Sequence, residues 1–204
     1  METNQEKVSY LIGRQIAGNL AQQGIEVVQE NLFKGIEAAF NGEESPISQE
    51  EAGKLFQELE SGVKERLQAQ QAQIAAKNAD EGAAFLADNA SKDDVNVTPS
   101  GLQYKIIKEG DGAIPTSADT VETHYEGTLI SGEIFDSSIK RGQPVSFPVS
   151  GVIQGWQEAL QLMPVGSTWE VYIPGHLAYG EAGSPPNIGP NSTLIFTVEL
   201  IKIH

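Results

Sequence analysis

The placement of proline divides this chain more sharply than any other feature. Nine of its ten prolines lie from Pro99 onward, and only Pro46 comes earlier. Proline inside a helix removes a backbone hydrogen bond and clashes with the preceding turn, at about 3 kcal/mol. The stretch before Pro99 is therefore free to build long helices, whereas the stretch after it must be broken by turns. Both tryptophans, Trp156 and Trp169, also fall in the later stretch. The length, 204 residues, suits one or two domains, and the change of pattern divides the chain near Asp94, into 1–94 and 95–204. Charge marks no such division, because the net −15 is spread over both parts.

In the first part Val8, Leu11, Ile12, Ile16 and Leu20 recur at three- and four-residue spacing, one face of a helix that Gly24 can end. Val28, Leu32, Phe33, Ile36, Ala39 and Phe40 repeat the pattern up to the stop signal Asn41-Gly42. Ser48 with Glu51 three residues on forms a capping-box pair, and the spacing predicts one uninterrupted helix over about 48–89, about 60 Å long at about 1.5 Å per residue. Leu55, Phe56, Leu59, Val63 and Leu67 carry an apolar stripe along its first half. Residues 68–73 are polar and alanine-rich, a waist suited to bridging two bodies through solvent, and Phe85 and Leu86 near the far end are expected to dock on the second domain. Two arrangements suit these helices. One is a small independent bundle; the other is a symmetric dimer, which would cover apolar surface that two short helices and one overlong helix leave bare. Gly13, Ala17 and Gly18 would permit close approach of helices in the latter.

Beyond Asp93-Asp94 the apolar period becomes two. Strands are predicted at 102–107, 121–127, 146–149, 168–173 and 193–200, with a single short helix at 153–162 halted by Met163-Pro164. Strands joined by turns with one helix define an α+β domain, a curved antiparallel sheet wrapped over that helix.

Several kinds of chemistry are excluded. With no cysteine there is no disulfide, thiol nucleophile or thiolate-held metal. His124, His176 and His204 do not fall at metal-ligand spacing, so no metal and no cofactor are expected. Ser131-Gly132 and Ser150-Gly151 are turn pairs rather than nucleophile elbows, and Gly110-Asp111-Gly112 lacks the context of a dinucleotide site. A net charge of −15 disfavours nucleic acid and anionic membranes as partners. No apolar run approaches the roughly 20 residues that span a bilayer. Met1-Glu2-Thr3-Asn4-Gln5-Glu6 has no leader pattern, so a cytoplasmic protein is expected, or a periplasmic or exported one if a leader has been removed.

What remains is a set of large apolar residues in the second part: Tyr125, Phe135, Val152, Ile153, Trp156, Tyr179, Ile188 and Phe196. Such residues ordinarily fill a core. Phe135, however, is followed at once by Asp136-Ser137-Ser138, and Tyr179 stands in a glycine- and proline-rich loop, where large side chains more often line a site. An apolar cavity with a few placed polar groups is the usual make-up of a small-ligand site.

The segments His124-Tyr125-Glu126-Gly127, Phe135-Asp136-Ser137-Ser138, Val152-Ile153-Gln154-Gly155-Trp156, Ala178-Tyr179-Gly180 and Thr193-Leu194-Ile195-Phe196 resemble, in order and spacing, signature segments of FKBP-type peptidyl-prolyl cis-trans isomerases. Ser9-Tyr10-Leu11-Ile12-Gly13, Gln23-Gly24-Ile25-Glu26 and Ser100-Gly101-Leu102-Gln103-Tyr104 are similar to the macrophage-infectivity-potentiator group of bacterial FKBPs. The resemblance implies a V-shaped homodimer of intertwined N-terminal helices, with a long helix leading to each isomerase domain. It implies a protein-folding enzyme acting on X-Pro bonds in unfolded or nascent polypeptides; a dimeric holdase with little turnover is the rival reading.

By the same resemblance Trp156 floors the pocket, and Tyr125, Phe135, Val152, Ile153 and Phe196 wall it. The Ile153 amide and the Tyr179 hydroxyl would bond the peptide backbone, and Ile188 would contribute to binding from its loop. Asp136 would either face the rotating carbonyl or anchor its loop through Arg141. Val145 stands where the family often has an aromatic and would open one wall. Asn187 and Gly189 replace a frequent aliphatic and a proline. Immunosuppressant macrolides are the implied inhibitors, and these departures would weaken their binding.

Overall fold

The computed structural model describes all 204 residues, which separate into two compact units, residues 1–70 and 71–204. In the first unit, α1 (Asn4–Gln22) opens with a capping box at Thr3. The Thr3 hydroxyl accepts from the Glu6 amide at 3.2 Å, and the Glu6 carboxylate accepts from the Thr3 amide at 3.1 Å. Helix α2 (Gln29–Asn41) closes on Gly42, whose φ of 71° is the left-handed conformation that a residue without Cβ adopts freely. No residue of α1 or α2 is buried. Arg66 ties the first half of the next helix to the α1–α2 corner, donating to the Gly24 carbonyl at 2.7 Å.

That next helix, α3, runs Gln49–Ala90, 42 residues, against the expected 48–89. Ser48 caps it, accepting from the Glu51 amide at 3.2 Å. The compact units divide at Gln70, inside the polar waist and well before the Asp94 boundary read from the change of period. The reason lies in the packing of the last turns of α3. The Phe85 ring sits 6.0 Å from that of Tyr172. Asn89, only 1% exposed, donates to the Gln103 side chain at 2.9 Å, and Gln103 in turn donates to the Leu86 carbonyl at 2.8 Å. A periodicity change locates where the backbone switches conformation; it does not tell which body a helix end packs on.

The second unit contains β1 (Asn96–Val97), β2 (Gln103–Lys108), β3 (Thr120–Leu129), β4 (Ile134–Ser137), α4 (Ser138–Arg141), β5 (Val145–Pro148), α5 (Gln154–Leu160), β6 (Thr168–Ile173) and β7 (Leu194–Ile203). All strand pairings are antiparallel, in the order β1-β2-β6-β7-β3-β4, with β5 also pairing β3. Alternate residues of β3, Val121, Thr123, Tyr125 and Gly127, are buried, as the period of two requires. The buried face packs on α5 through Trp156, Ala159 and Leu160, with Val171, Phe196 and Val198 opposite.

Three elements are absent from the sequence reading. β1 has two residues and β4 four, too short for a periodic signal. The one-turn α4 hides in Ser137-Ser138, which reads as loop. The Ser137 hydroxyl caps it by accepting from the Lys140 amide at 3.1 Å. The short helix α5 also ends at Leu160, two residues before its expected limit.

Candidate active site

The sheet, α5 and the loops beside them line an open cavity of about 340 Å³. Trp156, 5% exposed, lies in the first turn of α5 and forms its floor. Around it stand three rings set edge to face. The Tyr125 centroid is 5.4 Å away at 90°, Phe196 5.2 Å at 86°, and Phe147 5.8 Å at 82°. Phe135 meets Phe196 in the same manner, at 5.5 Å and 85°. Such pairs contribute about 0.5–1.5 kcal/mol beyond their burial, which makes the walls stiff as well as apolar.

Two features of local sequence make the arrangement possible. β3 and β7 are registered so that Gly127 faces Phe196. A Cβ at Gly127 would lie 2.6 Å from the Phe135 ring and 2.7 Å from the Phe196 ring, so glycine is what lets the two aromatics meet. Buried Ser138 binds the other strand: its hydroxyl accepts from the Tyr125 amide at 2.7 Å and donates to the Tyr125 carbonyl at 3.1 Å. That clamp fixes where Phe135 and Asp136 emerge.

Polar groups gather at one rim. The Tyr125 hydroxyl donates to Asp136 at 2.5 Å, while Arg141 donates both to Asp136 and, at 2.9 Å, to the Tyr125 hydroxyl. The guanidinium carbon also lies 5.7 Å from the Tyr125 ring centroid, within cation–π range. Burial pulls the Asp136 carboxyl upward, yet the hydrogen bonds from Tyr125 and Arg141 outweigh it and hold the group below its ordinary value. Tyr125 moves the other way, raised by burial and then by the Asp136 carboxylate beside it. The triad therefore holds an ionised carboxylate and a protonated phenol at neutral pH.

Of the residues read from sequence, Tyr125, Phe135, Asp136, Val152, Ile153, Trp156, Tyr179 and Phe196 line the cavity. Ile188, Val145 and Arg141 do not. Ile188 is 6% exposed and packs in the core, held by two backbone hydrogen bonds with Ser184. Val145 rests against the core beside the cavity, and Arg141 stands behind the rim, bonded to Asp136 and the Tyr125 hydroxyl. The sequence reading missed Phe147, which forms a wall. Its signal was present: Val145 and Phe147 alternate along one strand and share a face. No three acidic or histidine side chains converge to hold a metal ion.

A fold of this kind around an aromatic-floored cavity defines a class, and comparison with known proteins identifies it. Residues 112–201 match the family model described as FKBP-type peptidyl-prolyl cis-trans isomerase, and residues 5–106 match the domain amino-terminal to it. The chain belongs to the FKBP-type peptidyl-prolyl cis-trans isomerase family. Within that family it is similar along its whole length to members of the Mip and FkpA type. It is 44% identical over 203 residues to the outer membrane protein MIP of Legionella longbeachae, covering 100% of this chain and 87% of that protein. It is 45% identical to the FKBP-type 22 kDa peptidyl-prolyl cis-trans isomerase of Escherichia coli K12, covering 99% and 97%. The crystal structure of FkpA from Escherichia coli superposes with a TM-score of 0.81 at 37% identity, covering 100% of this chain and 98% of that one.

Proposed function

We propose that the aromatic-floored cavity is where this peptidyl-prolyl isomerase turns the X-Pro bonds of unfolded polypeptides. The observation that carries the site assignment is the set of rings, Tyr125, Phe147 and Phe196, packed edge to face on Trp156 in a mostly apolar cavity of about 340 Å³.

The chemistry asks for little else. Rotation about an X-Pro bond must cross an amide resonance barrier of about 18–20 kcal/mol, and no proton, electron or group is transferred. In the twisted amide the nitrogen no longer shares its lone pair, so the carbonyl carries less charge and needs less solvation than the planar form. An apolar cavity that receives the prolyl ring on Trp156 therefore favours the twisted state over the planar one. The Ile153 amide, at the start of α5, and the Tyr179 hydroxyl are the donors in this reading; they hold the peptide backbone while the bond turns. Asp136 borders the rotating carbonyl in this reading, and its link to Tyr125 and Arg141 anchors the rim.

The test is turnover of a proline-containing peptide by the full chain. Acceleration that disappears in Trp156→Ala and falls in Phe135→Ala supports the site, and unimpaired activity in both would overturn it. Immunosuppressant macrolides would occupy the same cavity and compete with the peptide.

The first unit supports a homodimer. An apolar groove of about 540 Å³ runs between α1 and α2, lined by Ile16, Leu20, Leu32, Phe33 and Ile36 among others. A second copy of the chain is the proposed occupant, supported by the amino-terminal family domain and by the full-length likeness to FkpA. Sedimentation should then give about twice the 21.9 kDa chain mass. No helix is long and apolar enough to cross a membrane. The cytoplasmic placement expected from the sequence gains no support from the relatives, one of which is named an outer membrane protein; cell fractionation measures it directly.

A further inference from the structure

Tyr179 enters the cavity from the head of a loop, residues 180–192, that carries little regular structure. The loop is braced internally. Ser184 and Ile188 exchange backbone hydrogen bonds of 2.8 and 3.0 Å, and the Ser192 hydroxyl donates to the Gly189 carbonyl at 2.9 Å. Asn191 has a φ of 54°, and its amide donates to the Gly180 carbonyl at 2.7 Å, next to Tyr179. That conformation is costly for a residue with a side chain and persists only where its surroundings hold it.

The external hold comes from α3. The Asn78 side-chain amide donates to the Pro190 carbonyl at 2.8 Å and approaches the Ser192 hydroxyl at 3.4 Å. Proline has no N–H, so this carbonyl is the one backbone hydrogen-bonding group Pro190 possesses. The helix also lies close to the loop. A Cβ at Gly189 would stand 3.0 Å from the Asn78 amide nitrogen and 3.8 Å from Ile74. One turn further along α3, Gly82 rests directly against the Thr193 side chain. Two hydrogen bonds thus connect helix to site, Asn78 to Pro190 and then Asn191 to Gly180, with Tyr179 next in the chain.

We propose that Asn78 is a positioning residue for the isomerase site: by holding Pro190 it sets the 180–192 loop and the depth at which Tyr179 stands, making the end of α3 a determinant of selectivity for the residue before proline. The proposal rests on the isomerase reading of the cavity. Asn78 touches no substrate, and its effect passes through the loop.

The experiment uses the full chain and its Asn78→Ala and Asn78→Asp variants. Asn78→Asp keeps the shape but presents only oxygens to the Pro190 carbonyl. Lys77→Ala, at an exposed neighbouring position, is the control. The readouts are kcat/KM on Xaa-Pro peptides differing at Xaa, hydrogen exchange of the Asn191 amide, and the unfolding midpoint followed by tryptophan fluorescence. Both Asn78 variants should lose about three- to tenfold in kcat/KM, the scale of one lost hydrogen bond. They should also change the ratio between peptides and speed Asn191 exchange, whereas Lys77→Ala should match the unmodified chain. Peptide turnover and ratios within twofold of the unmodified chain would overturn the proposal, whatever the exchange shows. So would a uniform loss across all peptides that tracks a lowered unfolding midpoint, because that describes a purely structural role. An unmodified chain without turnover would instead overturn the isomerase reading itself.

Discussion

The two units of this molecule use similar apolar side chains to opposite ends. In the first, Leu11 is 60% exposed, Phe33 64% and Phe40 87%, although all three sit on well-formed apolar helix faces. In the second, Val171 is 1% exposed, Leu194 0% and Trp156 5%. Local structure is regular in both, so the difference is one of partners. A helix satisfies its own backbone and can stand with its stripe uncovered, whereas a sheet needs neighbouring strands and buries a whole face in obtaining them. Open stripes of this size mark an interaction surface, and a second chain is the occupant proposed for it. The finished core, by contrast, is where a cavity can be held rigid enough to do chemistry.

The most severe change empties the core of the second unit. Trp156→Ala should destabilise that unit by about 3–5 kcal/mol and abolish peptide turnover. Trp169 remains to report unfolding by fluorescence. Phe40→Ala, at an 87% exposed position, should shift the same transition by less than about 0.5 kcal/mol. Equal shifts would show that the two units do not differ in the way described.

Next in size is a charge placed in the groove of the first unit. Phe33→Asp should reduce the sedimenting mass to that of a single 21.9 kDa chain while peptide turnover stays within about twofold, since groove and cavity are built from residues of different units that share no partner. Loss of turnover in proportion to loss of mass would tie the two units together more closely than proposed.

Changes at the rim have smaller effects. Tyr125→Phe removes the phenol that donates to Asp136 and should lower kcat/KM about fivefold, the scale of one hydrogen bond. The mildest change is acidification. Because the folded-state value of Asp136 is lowered, its stabilising contribution is complete above the unfolded value of about 3.9 and is lost as pH falls through the folded value. The unfolding midpoint should decline below about pH 4. That decline should be shallower in Asp136→Asn, and identical profiles would remove Asp136 from the rim lock.

Legibility from sequence followed the length of the pattern. The 42-residue α3 and the strands at Thr120–Leu129 and Thr168–Ile173 repeat their periods often enough to be seen. β4 and α4, four residues each, do not, and they are held by long-range bonds such as that from the Tyr125 amide to Ser138. The site divides in the same way. Phe135 and Tyr179 stood out because they were odd in their local setting. Phe147 did not, because an aromatic on a strand looks the same whether it faces a cavity or a core. Ile188, read as a binding residue, is core because its loop folds back on itself at Ser184.

What depends on neighbours along the chain could be read from the sequence: a proline-poor helical stretch, a proline-rich sheet, and a site without thiols. The tertiary structure decided what depends on which surfaces meet. It gave the last turns of α3 to the second unit, set the rings of Tyr125, Phe147 and Phe196 around Trp156, and brought Asn78 to a loop more than a hundred positions away. Period and composition describe one backbone segment at a time, while burial and hydrogen bonding between distant segments exist only once the chain has closed on itself.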